Sequence, residues 1–206
     1  MCGRFQLEIG VDDLLNFIEI LDEVRERYHE DDMKDIVHER KDFFPGTKAL
    51  VLTPEGLKSP IWGFPLEKKL IFNARSESIY EKKMFRQAME NRRCLVPANL
   101  FFEWQGKEKV KHEVMTPDKI MFLGGIYNRY PNAEGESEDR FSIITRASQG
   151  DMLGIHPRSP LIIGKDDLRS YLSRNTPETE IRRLLASSPD RLIIRREDSP
   201  AQLSLF

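Results

Sequence analysis

A cysteine at position 2 is one peptide bond away from a reactive group that no internal cysteine can supply. Removing Met1 from the start Met1-Cys2-Gly3-Arg4-Phe5 gives Cys2 a free α-amine and a thiol on adjacent carbons. Such a 1,2-aminothiol has distinctive chemistry toward aldehydes. The amine, with an ordinary pKa of about 7.7 to 8.0, is partly neutral at pH 7 and forms an imine, after which the thiol adds to the same carbon. The product is a five-membered thiazolidine, much harder to hydrolyse than an open Schiff base. Taken alone, a cysteine here is better explained as an ordinary second codon, so the rest of the chain has to decide. The other cysteine, Cys94, lies in the apolar run Cys94-Leu95-Val96-Pro97-Ala98 and reads as an inert buried thiol. Two distant cysteines and 4 scattered histidines show no paired-ligand spacing, so neither a metal nor another cofactor is expected. A disulfide scaffold is equally unexpected, which points to a reducing compartment.

The scaffold that must position Cys2 is bounded by composition. A chain of 206 residues suffices for one domain, which hides roughly 70% of the surface its unfolded form exposes. Hydrophobic residues make up 39% and charged residues 32%, as in soluble globular proteins, and no apolar run approaches the ~20 residues of a membrane span. The N-terminus has neither a basic n-region nor an apolar h-region, so a cytoplasmic protein is expected. A net charge of −2 argues against long, non-specific grip on nucleic acid, which is mostly phosphate neutralisation by Lys and Arg. Charge is unevenly spread, however. Acidic residues crowd into 12–39, 134–139 and 178–180, while Arg4, Arg75, Arg146 and Arg158 stand singly in other motifs, so a basic cleft on an acidic body remains open.

Residues 12–28 place Leu14, Leu15, Phe17, Ile18, Leu21 and Val24 on one stripe behind a pair of aspartates, the pattern of an amphipathic helix. From Ala49 onward short β-rich runs alternate with turn residues: ALVLT, PIWGF, CLVPANLFFEW, KVKHEVM, IMFLGGIY and RFSIITRAS. Short helices are expected at 81–92, 166–173 and 177–187, the last with Pro177 in its first turn and Thr176 as its cap. Many strands, few helices and no regular βαβ alternation predict an α+β single domain with a largely antiparallel, barrel-like sheet and flanking helices. Residues 130–140 read as a mobile hairpin loop. The domain is expected over 1–196, with 197–206 as an exposed tail.

The opening MCGRF, FNARSESI at 72–79, FRQAMENRRCLVPANLFFEW at 85–104, and FSIITRAS followed by IHPRSPLII at 141–163 together resemble the SRAP family. These are the SOS response-associated peptidases, also described as abasic-site processing proteins. The resemblance implies a compact α+β domain that loses Met1, by its own peptidase activity or to a general aminopeptidase, binds single-stranded DNA as a monomer, and captures the ring-opened sugar aldehyde of an abasic site through Cys2. It implies a nucleoid-associated role in DNA damage repair and lyase-like crosslinking chemistry. The family's reactive positions match Cys2, Asn73, Glu103 and His156. A partly desolvated Glu103 suits proton shuttling in imine formation and ring opening, His156 titrates near neutrality, and Asn73 can orient the Cys2 amine without adding charge. In the same motifs Arg4, Arg75 and Arg158 suit bidentate phosphate contacts. Trp62, Trp104 and Pro45 match apolar DNA-facing segments, and aromatic faces stack on unpaired bases, although either tryptophan is equally at home in a core.

The chain departs from the family pattern where NLFFEW replaces DGFYEW, where HPRSP replaces HxRMP, and where WGF lacks a following Pro-x-Trp. These departures bear on the DNA groove rather than on the four reactive residues. Other readings stand beside this one. An N-terminal-nucleophile hydrolase would use Cys2 on small amides but needs a four-layer sandwich, a papain-like protease lacks the helix that normally activates its cysteine, and a non-catalytic DNA-binding module would not need Cys2 at all. The C-terminal Gln202-Leu203-Ser204-Leu205-Phe206 resembles the QLxLF peptide with which bacterial polymerases and repair proteins dock on the DNA sliding clamp. It follows the turn-prone Asp198-Ser199-Pro200. Leu203, Leu205 and Phe206 are its expected anchors and Gln202 its hydrogen-bonding residue.

Overall fold

The computed structural model describes residues 2–20, 38–187 and 191–197. The first helix, Val11–Ile20, opens with Asp12 and Asp13 where carboxylates favour the positive end of the helix dipole. Asp13 Oδ2 also accepts from the Gly10 N–H at 2.9 Å. On its core side Phe17 is buried edge-on against Phe122, with ring centroids 5.5 Å apart. The expected continuation of this helix to residue 28 lies outside the described residues.

The strands form two main sheets. The smaller is antiparallel throughout, in the order Ile193–Arg196, Val110–Met115, Leu100–Gln105, Phe5–Ile9, His38–Phe43. The larger runs Arg158–Pro160, Ser137–Ala147, Met121–Pro131, Arg93–Ala98, Val51–Thr53, Gly56–Lys58. Off this path, Ile162–Ile163 pairs with Met121–Pro131, while Ile61–Trp62 and Asn73–Arg75 both run parallel to Ser137–Ala147. A separate hairpin joins Phe64–Leu66 to Lys69–Ile71. Each main sheet ends on edge strands. The expected barrel-like closure is therefore corrected to open, mostly antiparallel sheets. What joins them is an aromatic stack: Phe5 lies on Phe43 at 5.0 Å and against Trp62 at 5.2 Å, and Trp62 stacks on Phe141 at 6.1 Å.

The later helices occupy the expected places at Lys83–Asn91, Leu168–Leu172 and Glu178–Ala186. Thr176 does not cap the last of them. Its hydroxyl donates to the Ser170 carbonyl at 2.6 Å, and Pro177 stands at the cap position. The stretch 130–140 is also more regular than its polar residues suggested, because Tyr130 pairs with Glu138 and Pro131 with Ser137. Charged residues extend this hairpin by pairing across it, as Arg129 Nε does with Asp139 at 2.9 Å.

Candidate functional site

The start of the chain is held by backbone pairing. Phe5 pairs with Phe101, and the Phe102 N–H donates to the Arg4 carbonyl at 3.0 Å. Continuing that antiparallel register brings Gly3 opposite Glu103 and Cys2 opposite Trp104, and Cys2 is close enough to Glu103 to feel its charge. From the other sheet, Asn73 Nδ2 donates to the Cys2 carbonyl at 2.9 Å. Asn73 is placed there by its parallel pairing with Ile143. Cys2, Asn73 and Glu103 thus meet where the two sheets come together.

His156 approaches from a third element. The turn Gly150–Gly154 leads into it, and the Gly154 carbonyl accepts from Gln105 Nε2 at 2.5 Å, two residues beyond Glu103. The imidazole orientation is fixed by its neighbour: Nδ1 lies 3.0 Å from the Arg158 N–H and 2.9 Å from the Arg158 carbonyl. It accepts from the first when that nitrogen is bare and donates to the second when protonated. Trp104, Gly106, Lys109, Ile155, His156 and Pro157 line a cleft of about 560 Å³ beside these residues.

Burial sets the electrostatics. Cys2 is fully buried, which pushes its thiol far above the usual range, and the Glu103 carboxylate adds to the rise. The thiol is therefore protonated in this form of the chain. Glu103 is 1% exposed, and desolvation raises its carboxyl above the ordinary glutamate value, with the charge of His156 among the opposing influences. A carboxyl raised in this way holds its proton to higher pH than an ordinary glutamate, the direction that general acid–base work requires. Asn73 Oδ1 is buried with no hydrogen-bond partner among the described residues, so one acceptor at the Cys2 carbonyl contact is unused.

The arginines and aromatics separate into distinct environments. The Arg75 side chain is exposed, with no hydrogen bond or ion pair among the described residues, and is available to a phosphate. Arg158 is instead bound through both terminal nitrogens to Glu77, at 2.6 and 2.9 Å, and donates to the Thr145 carbonyl at 2.7 Å. This pair holds the Glu77 carboxyl down at about 2. Arg4 is paired with Asp42, and its guanidinium lies 4.4 Å from the Phe102 ring centroid and 5.3 Å from that of Phe44. A phosphate reaching either residue has to share it with a carboxylate. Trp104 is half-buried at the cleft, and Pro45 is half-buried in the turn after His38–Phe43. Trp62 has no exposed surface, and its Nε1–H donates to the Phe72 carbonyl at 2.8 Å. The base-stacking role considered for Trp62 is therefore corrected to a core role, since the side chain is fully buried against the rings of Phe5, Phe72 and Phe141. Gln202, Leu203, Leu205 and Phe206 lie outside the described residues.

Glu77 and Gln105 were not singled out from the sequence. Both act by position, Glu77 on Arg158 and Gln105 on the turn before His156. For Glu77 a signal existed in the Arg75-Ser76-Glu77 triplet, but nothing local identifies an arginine 81 positions away as its partner.

Residues 1–197 match the family model described as SOS response associated peptidase (SRAP). Among similar proteins, the abasic site processing protein YoaM of Bacillus subtilis is 27% identical over 198 residues, covering 90% of this chain and 85% of that one. The abasic site processing protein YedK of Escherichia coli is 26% identical over 201 residues, covering 91% and 86%. A crystal structure of a Bacteroides thetaiotaomicron protein superposes with a TM-score of 0.77 at 22% identity, covering 95% of this chain and 91% of that one. At that identity the likeness speaks for the fold alone.

Proposed function

The chain belongs to the SOS response associated peptidase family, and we propose that it processes abasic sites in single-stranded DNA by capturing them covalently on Cys2. The observation that carries this reading is the convergence of Cys2 with Asn73 and a desolvated Glu103. While Met1 is attached, the Cys2 nitrogen is an amide and cannot add to an aldehyde. Loss of Met1, which we assign to the protein's own peptidase activity, turns it into an amine beside the thiol.

The reaction then runs as follows. The Cys2 amine adds to C1 of the ring-opened sugar to give a carbinolamine, and protonated Glu103 supplies the proton with which its hydroxyl leaves as water. The Cys2 sulfur adds to the resulting iminium carbon, and the Glu103 carboxylate takes up the thiol proton. One C–N and one C–S bond form on the same carbon and one water is released. Asn73 keeps the Cys2 carbonyl fixed, and its unused Oδ1 accepts from the new amine. His156 serves proton transfer at the sugar oxygen. The decisive experiment is intact mass spectrometry of the purified protein with and without an abasic single strand. The expected species are protein lacking one methionine, and a complex whose mass is the sum of its components minus one water. Protein that begins at Cys2 yet gives no adduct would refute covalent capture, and turnover of small amides by it would favour the N-terminal-nucleophile alternative.

Phosphate binding is divided among the arginines by their present partners. Arg75→Ala is expected to weaken single-strand binding and to lower the slope of log affinity against log salt by about 0.7, one lost phosphate contact on a single strand. Arg158→Ala should have a mixed effect, because it also releases Glu77 and the backbone that orients His156. Binding titrations at several salt concentrations separate the two, and an unchanged slope for Arg75→Ala would remove it from the DNA contact.

The C-terminal peptide extends the same function. Gln202–Phe206 is proposed to dock on the bacterial sliding clamp, which raises the local concentration of the domain near stalled template strands. Affinity is expected to be modest, since the segment loses conformational entropy when it docks. Clamp titrations with the full chain, a chain ending at Pro200 and Leu205→Ala/Phe206→Ala test this. Only the first should bind; equal affinity of all three would assign any clamp contact to another part of the molecule.

A further inference from the structure

Glu77 joins three separate segments around the site. Its Oε1 accepts from Arg158 Nη1 at 2.6 Å and from the Ala147 N–H at 3.1 Å, while Oε2 accepts from Arg158 Nη2 at 2.9 Å. Glu77 itself stands in the single turn Ser76–Ser78, directly after the strand that carries Asn73 and Arg75. Ala147 ends the strand Ser137–Ala147, Arg158 begins the strand Arg158–Pro160, and the two are cross-strand partners. One carboxylate thus holds both members of the pair at which the segment carrying His156 joins the sheet. Beside it the Ser148 N–H donates to the Pro157 carbonyl at 3.0 Å. His156 takes its direction from the same pair, because Nδ1 sits within hydrogen-bonding distance of both the N–H and the carbonyl of Arg158. With Nδ1 committed there, proton transfer at the sugar falls to Nε2.

We infer that Glu77 is a positioning residue for His156, acting through Arg158 by holding it in the frame that aims the imidazole instead of leaving it as a DNA ligand. The bonding is of a kind that fixes geometry. A bidentate arginine–carboxylate fork sets distance and angle together, and the bond from Ala147 adds a backbone reference that a lone ion pair lacks. An ion pair at a half-exposed glutamate contributes little to stability, so what this one supplies is alignment. Alignment matters because a misplacement of about 1 Å costs on the order of 10²-fold in rate. The same grip works against DNA affinity. Arg158 donates to Glu77 through both terminal nitrogens and to the Thr145 carbonyl at 2.7 Å, so a strand phosphate meets a guanidinium that is already neutralised. Glu77 therefore favours the rate of capture with some loss of affinity, and removing its charge moves the two in opposite directions. A glutamate that served only to hold the fold together would move them in the same direction.

This inference rests on the capture reaction proposed above, in which His156 serves proton transfer. Its test uses Glu77→Gln, whose amide carbonyl keeps an acceptor for the Ala147 N–H, in the wild-type and His156→Ala backgrounds. Two quantities are measured on the four full-length proteins. One is the rate of adduct formation with an abasic single strand. The other is the equilibrium affinity, at several salt concentrations, for the same strand carrying tetrahydrofuran, an abasic analogue with no aldehyde. Glu77→Gln is expected to slow adduct formation about 10-fold or more. It should at the same time tighten binding of the analogue at low salt, with a slope of log affinity against log salt steeper by about 0.7 as Arg158 gains a phosphate. In the His156→Ala background the same substitution should leave the rate within about two-fold, since no imidazole is left to aim. Equal slowing in both backgrounds would overturn the inference, as would weaker binding alongside the slower rate, or a rate that does not change. Wild-type protein that forms no adduct would sink the capture reading and this inference with it, whereas normal wild-type capture with any of those three results overturns the role of Glu77 alone.

Discussion

Cys2→Ala is expected to give no adduct that survives heating in denaturant, whatever the concentration of abasic strand. The reason is that both bonds of the proposed thiazolidine come from this one residue, and only its amine remains in the variant. An amine alone forms an imine, which hydrolyses, so the variant should yield a species seen only after borohydride reduction. Cys2→Ser should behave in the same way, because a hydroxyl closes the analogous ring poorly. The wild-type adduct is expected to be insensitive to borohydride, since no C=N bond is left to reduce. Neither substitution touches Arg75, so binding of an undamaged single strand should stay near the wild-type value. Denaturing gels with and without reductant, run beside a binding titration, make the comparison. A heat-stable, unreduced adduct with Cys2→Ala would place the nucleophile elsewhere in the chain. A non-catalytic DNA-binding role predicts a different pattern, in which the substitution leaves biological activity intact.

Local patterns made most of the scaffold legible. The stripe that includes Phe17 gives a helix, and runs such as CLVPA and LFFEW give strands, because periodicity and β-branched or aromatic content act within a few residues. What could not be read locally is how distant runs pair. Sheet closure depends on partners such as Val110–Met115 with Ile193–Arg196, far apart in sequence, and the open edges became visible only with the pairing. Residues 130–140 read as a mobile hairpin loop because they are polar, whereas their strands stay paired as far as Pro131 and Ser137. The site shows the same division. Motifs identify Cys2, Asn73, Glu103 and His156, and the fold brings the first three to one junction and His156 to the adjoining cleft. Side-chain environment was the illegible part: Arg4 and Arg158 look like free phosphate ligands in sequence, yet Asp42 and Glu77 already hold them. Trp62 looks like a stacking surface and is the centre of the core.

Glu103→Gln is expected to slow adduct formation about 10²-fold or more while leaving single-strand affinity within about two-fold of wild type. General acid–base groups contribute roughly 10²–10⁴ to rate, and the amide can neither deliver the proton that expels water nor accept the one from the thiol. The carboxyl is raised by burial, so the wild-type rate should fall as pH climbs through that raised value and the acid form is lost. In the Gln variant this limb should be absent. Stability gives a second, independent readout of the raised carboxyl itself. Because the folded-state pKa lies above the unfolded one, the folded chain binds the extra proton between them. Unfolding free energy therefore drops as pH rises from the ordinary glutamate value through the raised one, and the loss is complete above it. Glutamine carries no such cost, so the variant should melt higher than wild type at pH 8 and the difference should shrink toward pH 4. Thermal melts across that range, set beside the rate profile, test both halves of the argument. A variant that is slower but also less stable at pH 8, or one whose only defect is weaker DNA binding, would show that Glu103 serves structure or affinity and that the proton is carried by another group.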